Sequence, residues 1–404
     1  MNGPPSPSSS SRLSVALLLM ITVLACGFVL ASSGRSYAHA DYADGSDQEL
    51  LMSTEWFRFH AWMAAHGRSY PTAEEKLRRF HIYRANVELI EATNRDTSKT
   101  FTCGENQFTD LSHHEFLAMY TMAGHSAPPL LNLSSVITTR AGDITESDRG
   151  TTQVEEDEEV EALPENIDWR EQNAVTPVQD QRRGCNACWV FASVATMESA
   201  HKIKTNHGHG ELLKLSEQEI VDCTSQHCGG GYPDDAFSWV KRNGIATESE
   251  YGGYEATVDS CRADMVRPPA VRVKDYSFVP KNSEKKLAMR VAQQPVAVLF
   301  DATDPCFQCY TNGIYSGRPA AAADRYNILN HAMAIVGYGE DKTTGRKYWI
   351  AKNSWGTRWG QNGYVYIRKD MADRPEGVGG LATHPRSEIT RNLKPNFGKH
   401  LESK

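Results

Sequence analysis

The sequence predicts an α+β protein with two lobes, because helical segments come first along the chain and short strand-like runs follow. Apolar periodicity and capping signals predict the helices, while short β-rich runs between glycine-containing turns predict the strands. The predicted helices are Cys188 to His201, Ser216 to Cys223 (Ser216 and Glu219 forming a capping box) and Pro233 to Asn243. The predicted strands are Val296 to Phe300, Ala332 to Tyr338, Tyr348 to Ile350 and Tyr364 to Ile367.

A helical region precedes these two lobes, from about Asp47 to Asn94. Its first helix carries aromatic residues at Trp56, Phe57, Phe59 and Trp62, which we expect to share one face. Gly67 to Pro71 breaks the helix, and a second one should begin after Thr72. Thr72 is a suitable N-cap because Glu75 follows three residues later.

Composition excludes several classes of protein. The 404 residues include 43 Lys plus Arg and 50 Asp plus Glu, so the formal net charge is −7. An electrostatic nucleic-acid binder is not expected from this balance and a pI near 6.1. A mean hydropathy of −0.51 excludes a membrane protein with many spans. Forty per cent apolar residues are enough for ordinary cores.

The first 40 residues have the features of a signal peptide. Arg12 precedes an apolar run from Leu13 to Ala31, and Ala38-His39-Ala40 fits a cleavage site before Asp41. An uncleaved signal anchor is the alternative, because about 19 apolar residues can just span a bilayer. A signal peptide would direct the chain to the secretory pathway, to an extracellular or a vacuolar or lysosomal destination, where disulfides form.

Two segments are predicted to be polar, and the first of them is also predicted to be extended. Residues 125–162 form an acidic linker that carries the glycosylation sequon at Asn132. Residues 386–404 form a polar C-terminal tail.

Three separated motifs supply the residues that nucleophilic catalysis needs. Cys188 stands where polar sequence gives way to a helix, and a helix N-terminus favours the thiolate and lowers the pKa of a cysteine. A thiolate nucleophile needs a proton donor for the leaving group, which His331 could provide. The amide of Asn353 could orient that imidazole, with Trp355 as a lid that excludes water.

These motifs resemble the papain-like cysteine proteases, chiefly those of plants, and the resemblance runs from Leu163 to about Pro385. The preceding region is similar to the helical inhibitory prodomain of that family. The matching prodomain residues are Glu75, Arg79, Ile82, Tyr83, Asn86, Ile90 and Asn94, followed by the segment Gly104 to Asp110. The resemblance implies a papain-like two-lobed fold, with a helical left lobe, a β-barrel-like right lobe and an active site in the cleft.

The resemblance also implies a zymogen: a signal peptide (1–40), an inhibitory prodomain (41–124), the linker (125–162), a peptidase domain (163–385) and the tail (386–404). Proteolytic removal of the prodomain would activate the enzyme. Cys188 would be the nucleophile, His331 the acid–base partner and Asn353 the residue that orients it. Gln181 would donate to the oxyanion. The positions that match the substrate cleft are Gly230, Gly231, Tyr232, Pro233, Leu299, Leu329, Ala332 and Trp355.

The apolar residues among these predict a hydrophobic side chain at the P2 position of the substrate. The implied partners are protein or peptide substrates, the chain's own prodomain as inhibitor and cystatin-like inhibitors. The resemblance implies a monomer that needs no cofactor or metal and binds neither nucleic acid nor, after signal cleavage, a membrane.

For the cysteines, the resemblance implies the disulfides Cys185–Cys228 and Cys223–Cys261. The third disulfide of the family is not expected, because Ala320 and Gly379 occupy its positions. Cys306 and Cys309 either form a replacement bridge or remain two free thiols. We also expect the carboxylates of the linker and Asp110 to lose ionic contacts with the peptidase domain in acid, which would accelerate processing.

Other departures from the family concern the active-site loop. The step from Gln181 to Cys188 is one residue longer than the family pattern and includes Arg182 and Arg183. Asn186 replaces a glycine. A catalytically silent papain-like binding protein is therefore an alternative.

Two further alternatives depend on the cysteines alone. A thiol–disulfide oxidoreductase could use the pair Cys185 and Cys188. A zinc site could use that pair together with Cys306 and Cys309, although their separation is unfavourable.

Overall fold

A computed structural model describes residues 53–122, 163–318 and 328–388. The predicted signal peptide, the linker with Asn132 and residues 389–404 of the tail lie outside these ranges. The chain divides into two compact units, Met1–Ala61 and Trp62–Lys404. In the first unit, the rings of Phe59 and His60 contact Trp56 at centroid distances of 5.9 and 4.6 Å.

The predicted helices occur where the sequence places them, with small differences at their ends, and the described ranges contain four further helices that were not predicted. The helices are α1 (Thr54–Ala65), α2 (Ala73–Arg95), α3 (His113–Tyr120), α4 (Cys188–Lys204), α5 (Glu217–Cys223), α6 (Pro233–Asn243), α7 (Glu248–Tyr251), α8 (Glu284–Val291) and α9 (Pro305–Gln308), of which α3, α7, α8 and α9 were not predicted. On α1, Phe59 and Trp62 are buried but Phe57 is 62% exposed, so the aromatic residues do not share one face. Among the described residues, we find no helix that is both long enough and apolar enough to cross a membrane.

The predicted helix caps form, with one correction. The Thr72 hydroxyl accepts a hydrogen bond from the backbone N–H of Glu75 (3.1 Å), and Ser216 caps α5 in the same way through Glu219 (3.1 Å). The predicted capping box at Ser216 is wrong, because the Glu219 carboxylate turns away. That carboxylate instead accepts a hydrogen bond from the backbone N–H of Ala246 (2.7 Å).

In the part of the chain that the structure describes, nine strands make one sheet. They are β1 (Phe101–Cys103), β2 (Ile167–Asp168), β3 (Tyr276–Phe278), β4 (Val296–Phe300), β5 (Tyr310–Tyr315), β6 (His331–Asp341), β7 (Arg346–Lys352), β8 (Tyr364–Arg368) and β9 (Arg386–Glu388). The order is β1-β5-β8-β7-β6-β4-β9-β3, with β2 paired to β6. The β5–β8 pair is parallel and the other pairs are antiparallel.

This sheet corrects two expectations. It is not closed into a barrel within the described ranges, because its path starts at β1 and ends at β3, and β1 belongs to the predicted prodomain. Strand β9 is buried and pairs with β3 and β4, so the first three residues of the predicted tail belong to the folded domain.

Helix α2 carries the polar residues that hold the predicted prodomain together. The amide of Asn86 donates to the carbonyls of Thr109 and Leu111 (2.8 and 2.9 Å), and Asn94 exchanges two 2.9 Å hydrogen bonds with the backbone of Cys103. These contacts fix the segment that follows α2 on the helix surface. The spacing of Asn86 and Asn94 in the motif therefore has a structural cause, because both side chains face the segment that follows α2.

Asp110 does not act as the sequence analysis expected. Its carboxylate accepts a hydrogen bond from the Tyr70 hydroxyl (2.8 Å) and lies 3.7 Å from the Arg68 guanidinium. Both partners belong to the predicted prodomain, so these contacts of Asp110 lie within the predicted prodomain and not with the predicted peptidase domain.

The structure contains the disulfides Cys185–Cys228 and Cys223–Cys261, and a third between Cys103 and Cys309. The bridge that we considered between Cys306 and Cys309 is wrong. Strand pairing sets Cys103 opposite Tyr310, the neighbour of Cys309, and this brings the two cysteines to a Cα–Cα distance of 4.9 Å. Among the described residues, Cys188 and Cys306 are free.

The position of the missing family disulfide has no room for a cysteine. Gly379 has φ of +64°, and a Cβ atom there would lie 2.3 Å from the ring of Phe300. Its expected counterpart, Ala320, lies outside the described residues.

The side chain of Arg79 is buried. Its guanidinium pairs with the carboxylates of Glu75 (2.7 Å) and Glu115 (2.9 Å) and donates a hydrogen bond to the Asp110 carbonyl (2.9 Å). Arg79→Gln should lower the free energy of unfolding by about 2 kcal/mol, because it leaves buried acceptors without a charged donor. The matched control is Arg84→Gln on the same helix. The Arg84 side chain is 40% exposed and its partner Glu88, 3.9 Å away, is 73% exposed, so we expect a change within about 0.5 kcal/mol. Equal losses in urea unfolding would contradict this account.

Candidate active site

Cys188 is the first residue of α4, as the sequence predicts, and its thiol is fully buried. The disulfide Cys185–Cys228 anchors the loop before it. The backbone N–H of Ala332 is close enough to the thiol to act on its pKa, so the sulfur lies beside the strand that carries His331. Helix α4 and strand β6 therefore bring two distant sequence motifs together.

His331 and Asn353 form a hydrogen-bonded pair. Nε2 of His331 lies 2.7 Å from Oδ1 of Asn353, which also accepts a hydrogen bond from the backbone N–H of Ser354 (2.8 Å). Because an amide oxygen can only accept, Nε2 carries the proton and Nδ1 has a free lone pair. Nδ1 is buried without a hydrogen-bond partner among the described residues. The Trp355 ring stacks on the imidazole at a centroid distance of 4.4 Å.

Gln181 is held in place despite the longer loop. Its Oε1 accepts from the Ser354 hydroxyl (2.7 Å) and its backbone N–H donates to the Ser354 carbonyl (2.8 Å). Arg182 adopts φ of +58° and Gly184 of +87°, so the extra residue is accommodated in the exposed turn. Ser354 was not among the residues predicted from the sequence, although Ser354 directly follows Asn353.

Residues 119–122, which we call the covering segment, lie over this site. The Tyr120 carbonyl accepts hydrogen bonds from Gln181 Nε2 (3.3 Å) and from the indole of Trp355 (3.2 Å). The backbone N–H of Met122 donates to the Asn330 carbonyl (2.6 Å). These residues were not predicted from the sequence, and their one signal is that Met119, Tyr120 and Met122 put apolar side chains at or just after the end of α3.

Burial under the prodomain sets the charge state of the pair. Burial raises the pKa of the Cys188 thiol to about 12, although three backbone hydrogen bonds act in the opposite direction. Burial also lowers the pKa of His331 to about 4, against a smaller opposing effect of the hydrogen bond to Asn353. The expectation of a lowered cysteine pKa is therefore wrong for the covered form, because loss of water outweighs the helix N-terminus.

The predicted substrate pocket assembles from both lobes. Leu299 on β4 stands opposite Ala332 on β6. Both belong to one apolar cluster with Leu329 and the half-buried Tyr232, and this cluster also contains Met122 of the covering segment. A prodomain side chain thus belongs to the same apolar core as the pocket residues.

The remaining pocket positions border Tyr232. Pro233 begins α6, and Gly230 has φ of +98°. A Cβ atom at Gly231 would lie 3.0 Å from the Trp189 ring, so any other residue here would need that ring to shift by a few tenths of an ångström. Asn186, which replaces the family glycine, has a buried Oδ1 with no hydrogen-bond partner in the described part of the chain.

Buried charges hold the strand end that carries Asn353. Nζ of Lys352 donates to the Thr176 hydroxyl (2.9 Å), which in turn donates to Glu198 (2.5 Å). Burial lowers the pKa of Lys352 to about 8 and raises that of Glu217 to about 7. Each buried group in this network has a polar partner, which fixes β7 at the point where it reaches the site.

Two alternatives from the sequence conflict with this structure. Cys185 is bonded to Cys228, so Cys185 and Cys188 do not form a dithiol of the oxidoreductase kind. The zinc alternative needs four thiolates, but Cys185 and Cys309 are both in disulfides.

Comparison with known families agrees with this architecture. Residues 163–385 match the papain family cysteine proteases, and residues 59–116 match the cathepsin propeptide inhibitor domain (I29). The chain therefore belongs to the papain family of cysteine proteases and carries an inhibitory propeptide domain, so it is a proform.

Individual relatives cover most of the chain. Fruit bromelain from Ananas comosus is 39% identical over 81% of this chain and 84% of its own length. Caricain from Carica papaya is 36% identical over 93% and 96%. The solved structure of a recombinant stem bromelain precursor superimposes with a TM-score of 0.68 at 34% identity, covering 84% of this chain and all of that one.

The low pKa of His331 predicts acid-driven opening. In an open form, water reaches the ring and its pKa returns towards the ordinary value of 6.5. Below that pH the His331 ring of the open form binds a proton, whereas the ring of the covered form stays neutral down to about pH 4. The contribution of neutral His331 to the stability of the covered form is thus complete above pH 6.5. It is lost as pH falls towards 4, by up to about 3 kcal/mol.

Hydrogen–deuterium exchange of the covering segment in full-length Cys188→Ala, compared at pH 7 and 4.5 after correction for intrinsic rates, measures this loss. The control is His331→Gln in the same background, which has no titrating ring and should lose much less protection. Equal losses in the two proteins would show that His331 does not drive the opening.

Proposed function

We propose that this protein is a cysteine endopeptidase made as a zymogen, in which Cys188, His331 and Asn353 carry out the chemistry. The observation that carries the proposal is the 2.7 Å contact between Nε2 of His331 and Oδ1 of Asn353, from which we infer that Nε2 carries the proton. Because Oδ1 of Asn353 accepts a hydrogen bond from Nε2 of His331, the basic Nδ1 is the ring nitrogen available to the thiol. This is the arrangement that an imidazole needs to accept a proton from a cysteine nucleophile.

The reaction follows from these positions once the prodomain leaves. With water admitted, the Cys188 proton passes to Nδ1 of His331, and the resulting ion pair is stabilised by the Asn353 oxygen. The thiolate attacks the carbonyl carbon of the scissile bond, and the oxyanion accepts hydrogen bonds from Gln181 Nε2 and the backbone N–H of Cys188. His331 then protonates the leaving amine. Water, deprotonated by the same imidazole, cleaves the thioester and regenerates the thiol.

Inhibition by the prodomain uses the same donors. In the covered form the Tyr120 carbonyl accepts the Gln181 Nε2 hydrogen bond that an oxyanion would need. The Phe108 and Phe116 rings pack on Trp355 at centroid distances of 5.9 and 5.0 Å. Access for a substrate therefore requires displacement of the covering segment.

The setting we propose is the secretory pathway, with an extracellular or vacuolar or lysosomal destination. Three disulfides in the described part of the chain support an oxidising compartment. The signal peptide, glycosylation at Asn132, binding of cystatin-like inhibitors and a monomeric state remain predictions.

Substitution of the candidate catalytic residues tests the function. Cys188→Ala should lower peptide hydrolysis about a thousandfold or more while leaving the unfolding midpoint unchanged. Substantial turnover by this variant would exclude Cys188 as the nucleophile. A folded wild-type protein without turnover after prodomain removal would favour the silent binding protein instead.

Asn353→Ala tests positioning. The hydrogen bond to Asn353 raises the pKa of His331, so its loss favours the neutral ring. The pH–rate profile of the wild type should be bell-shaped, and its alkaline limb should move to lower pH in Asn353→Ala, with kcat reduced about tenfold or more. An unchanged profile with a lower rate would indicate a merely structural role.

Substrate preference at P2 tests the pocket. Peptides with leucine or phenylalanine at P2 should have kcat/KM about a hundredfold above peptides with aspartate or arginine, because a charge would enter an apolar site unpaired. Leu329→Glu should narrow the leucine-to-arginine ratio about tenfold. The control is Ile328→Glu, one residue away and 55% exposed, which should leave the ratio unchanged. Equal effects of the two substitutions would contradict the pocket assignment.

A further inference from the structure

A disulfide joins the inhibitory prodomain to the peptidase domain. Cys103 lies within the I29 match and Cys309 within the peptidase match, 206 residues apart in sequence. Cutting the linker between them would leave the two parts covalently connected. Backbone cleavage by itself therefore cannot complete removal of the prodomain.

The surroundings of this bond are shared by the two parts. Strand β1 pairs with β5, with Phe101 opposite Gly313, and the Gly104 N–H donates to the Cys309 carbonyl (2.8 Å). The amide of Asn106 donates to the Gln308 carbonyl (2.8 Å). The disulfide thus lies inside a hydrogen-bonded interface and not on a loose loop.

A third cysteine lies directly beside this bond. Cys306 is free and half-buried; it lies on the short helix α9, and Cys309, three residues later, is the C-cap of that helix. Its carbonyl oxygen is 3.5 Å from the Cys103 sulfur and 3.6 Å from the Cys309 sulfur. Its own sulfur lies 3.5 Å from the Thr93 hydroxyl of α2. A spacing of one helical turn keeps two cysteines within the Cα range that a disulfide spans.

We propose that Cys306, Cys309 and Cys103 form a thiol–disulfide exchange site that releases the prodomain. The Cys306 thiolate attacks the sulfur of Cys309, the Cys103–Cys309 bond breaks, and a Cys306–Cys309 disulfide forms. Cys103 leaves as a thiolate and takes up a proton from solvent, which balances the proton that Cys306 lost. One thiol and one disulfide are present before and after, so no outside oxidant or reductant is required.

The structure also indicates when the exchange would occur. In the covered form the pKa of Cys306 is raised by burial and by Asp304 on its own helix, against smaller opposing effects of Thr93 and Lys99. The thiol is therefore mostly protonated and slow to attack while α2 lies over it. Linker cleavage lets the prodomain loosen and gives the exchange an entropic gain, because the departing fragment becomes free.

This exchange is independent of the proposed catalytic role of Cys188, and its test should be too. The full-length Cys188→Ala chain, with the recognition site of an unrelated site-specific protease inserted in the linker, is cut with that protease at pH 8. Samples are quenched with N-ethylmaleimide. Non-reducing electrophoresis and disulfide mapping then follow the prodomain fragment.

With Cys306 present, we expect the uncut chain to contain Cys103–Cys309. After the cut, free prodomain should appear together with a Cys306–Cys309 peptide. With Cys306→Ser or Cys306→Ala, release should be about tenfold slower or more until dithiothreitol is added. With Cys103→Ser, the fragment should never be covalently attached.

Two results would overturn the proposal. One is absence of Cys103–Cys309 from the uncut chain. The other is release from both Cys306 variants at the parent's rate. Mapping of Cys185–Cys228 and Cys223–Cys261 in the same samples checks that each variant has folded. Because an added protease makes the cut, failure of the chain's own peptidase activity would not affect these outcomes.

Discussion

Exclusion of water from Cys188 and His331 is the constraint on which the rest of this structure depends. In the covered form both side chains are fully buried, and the same burial raises the pKa of the thiol and lowers that of the imidazole. An ion pair is unfavourable there, because two charges would lack solvation. The prodomain therefore opposes the chemistry twice, by occupying the cleft and by keeping the pair neutral.

The contacts that maintain this exclusion are spread over the prodomain. Helix α2 fixes the segment after it through Asn86 and Asn94, and that segment adds strand β1 to the sheet. The covering segment begins in the last turn of α3 and lies over the site. A disulfide at β1 adds a covalent tie to this non-covalent set. Release of the prodomain consequently involves separate events: proton uptake, backbone cleavage and opening of a sulfur–sulfur bond.

Local signals were sufficient to predict much of the site. A cysteine at the start of a helix, a histidine at the start of a strand and an Asn-Ser-Trp turn are each recognisable by composition, and the structure brings all three together. The caps at Thr72 and Ser216 were likewise predictable, since they depend on residues three positions apart.

The features that could not be predicted from the sequence depend on long-range packing. The raised pKa of Cys188 depends on burial under a distant segment of the chain, and the sequence around Cys188 does not indicate which segment that is. The bridge between Cys306 and Cys309 was a reasonable expectation only while Cys103 was left out of the count. The register of β1 on β5, which sets Cys103 beside Cys309, is a tertiary property. The open sheet and the rotated Glu219 carboxylate have the same origin.

The central claim is that prodomain removal converts a neutral thiol and imidazole into a reactive pair. The rate at which iodoacetamide modifies Cys188, located by peptide mapping, measures it most directly in the precursor and in the processed enzyme between pH 6.5 and 9. The account predicts fast, nearly pH-independent modification of the processed enzyme, and slow modification of the precursor that increases with pH. Equal rates in the two forms at neutral pH would contradict it.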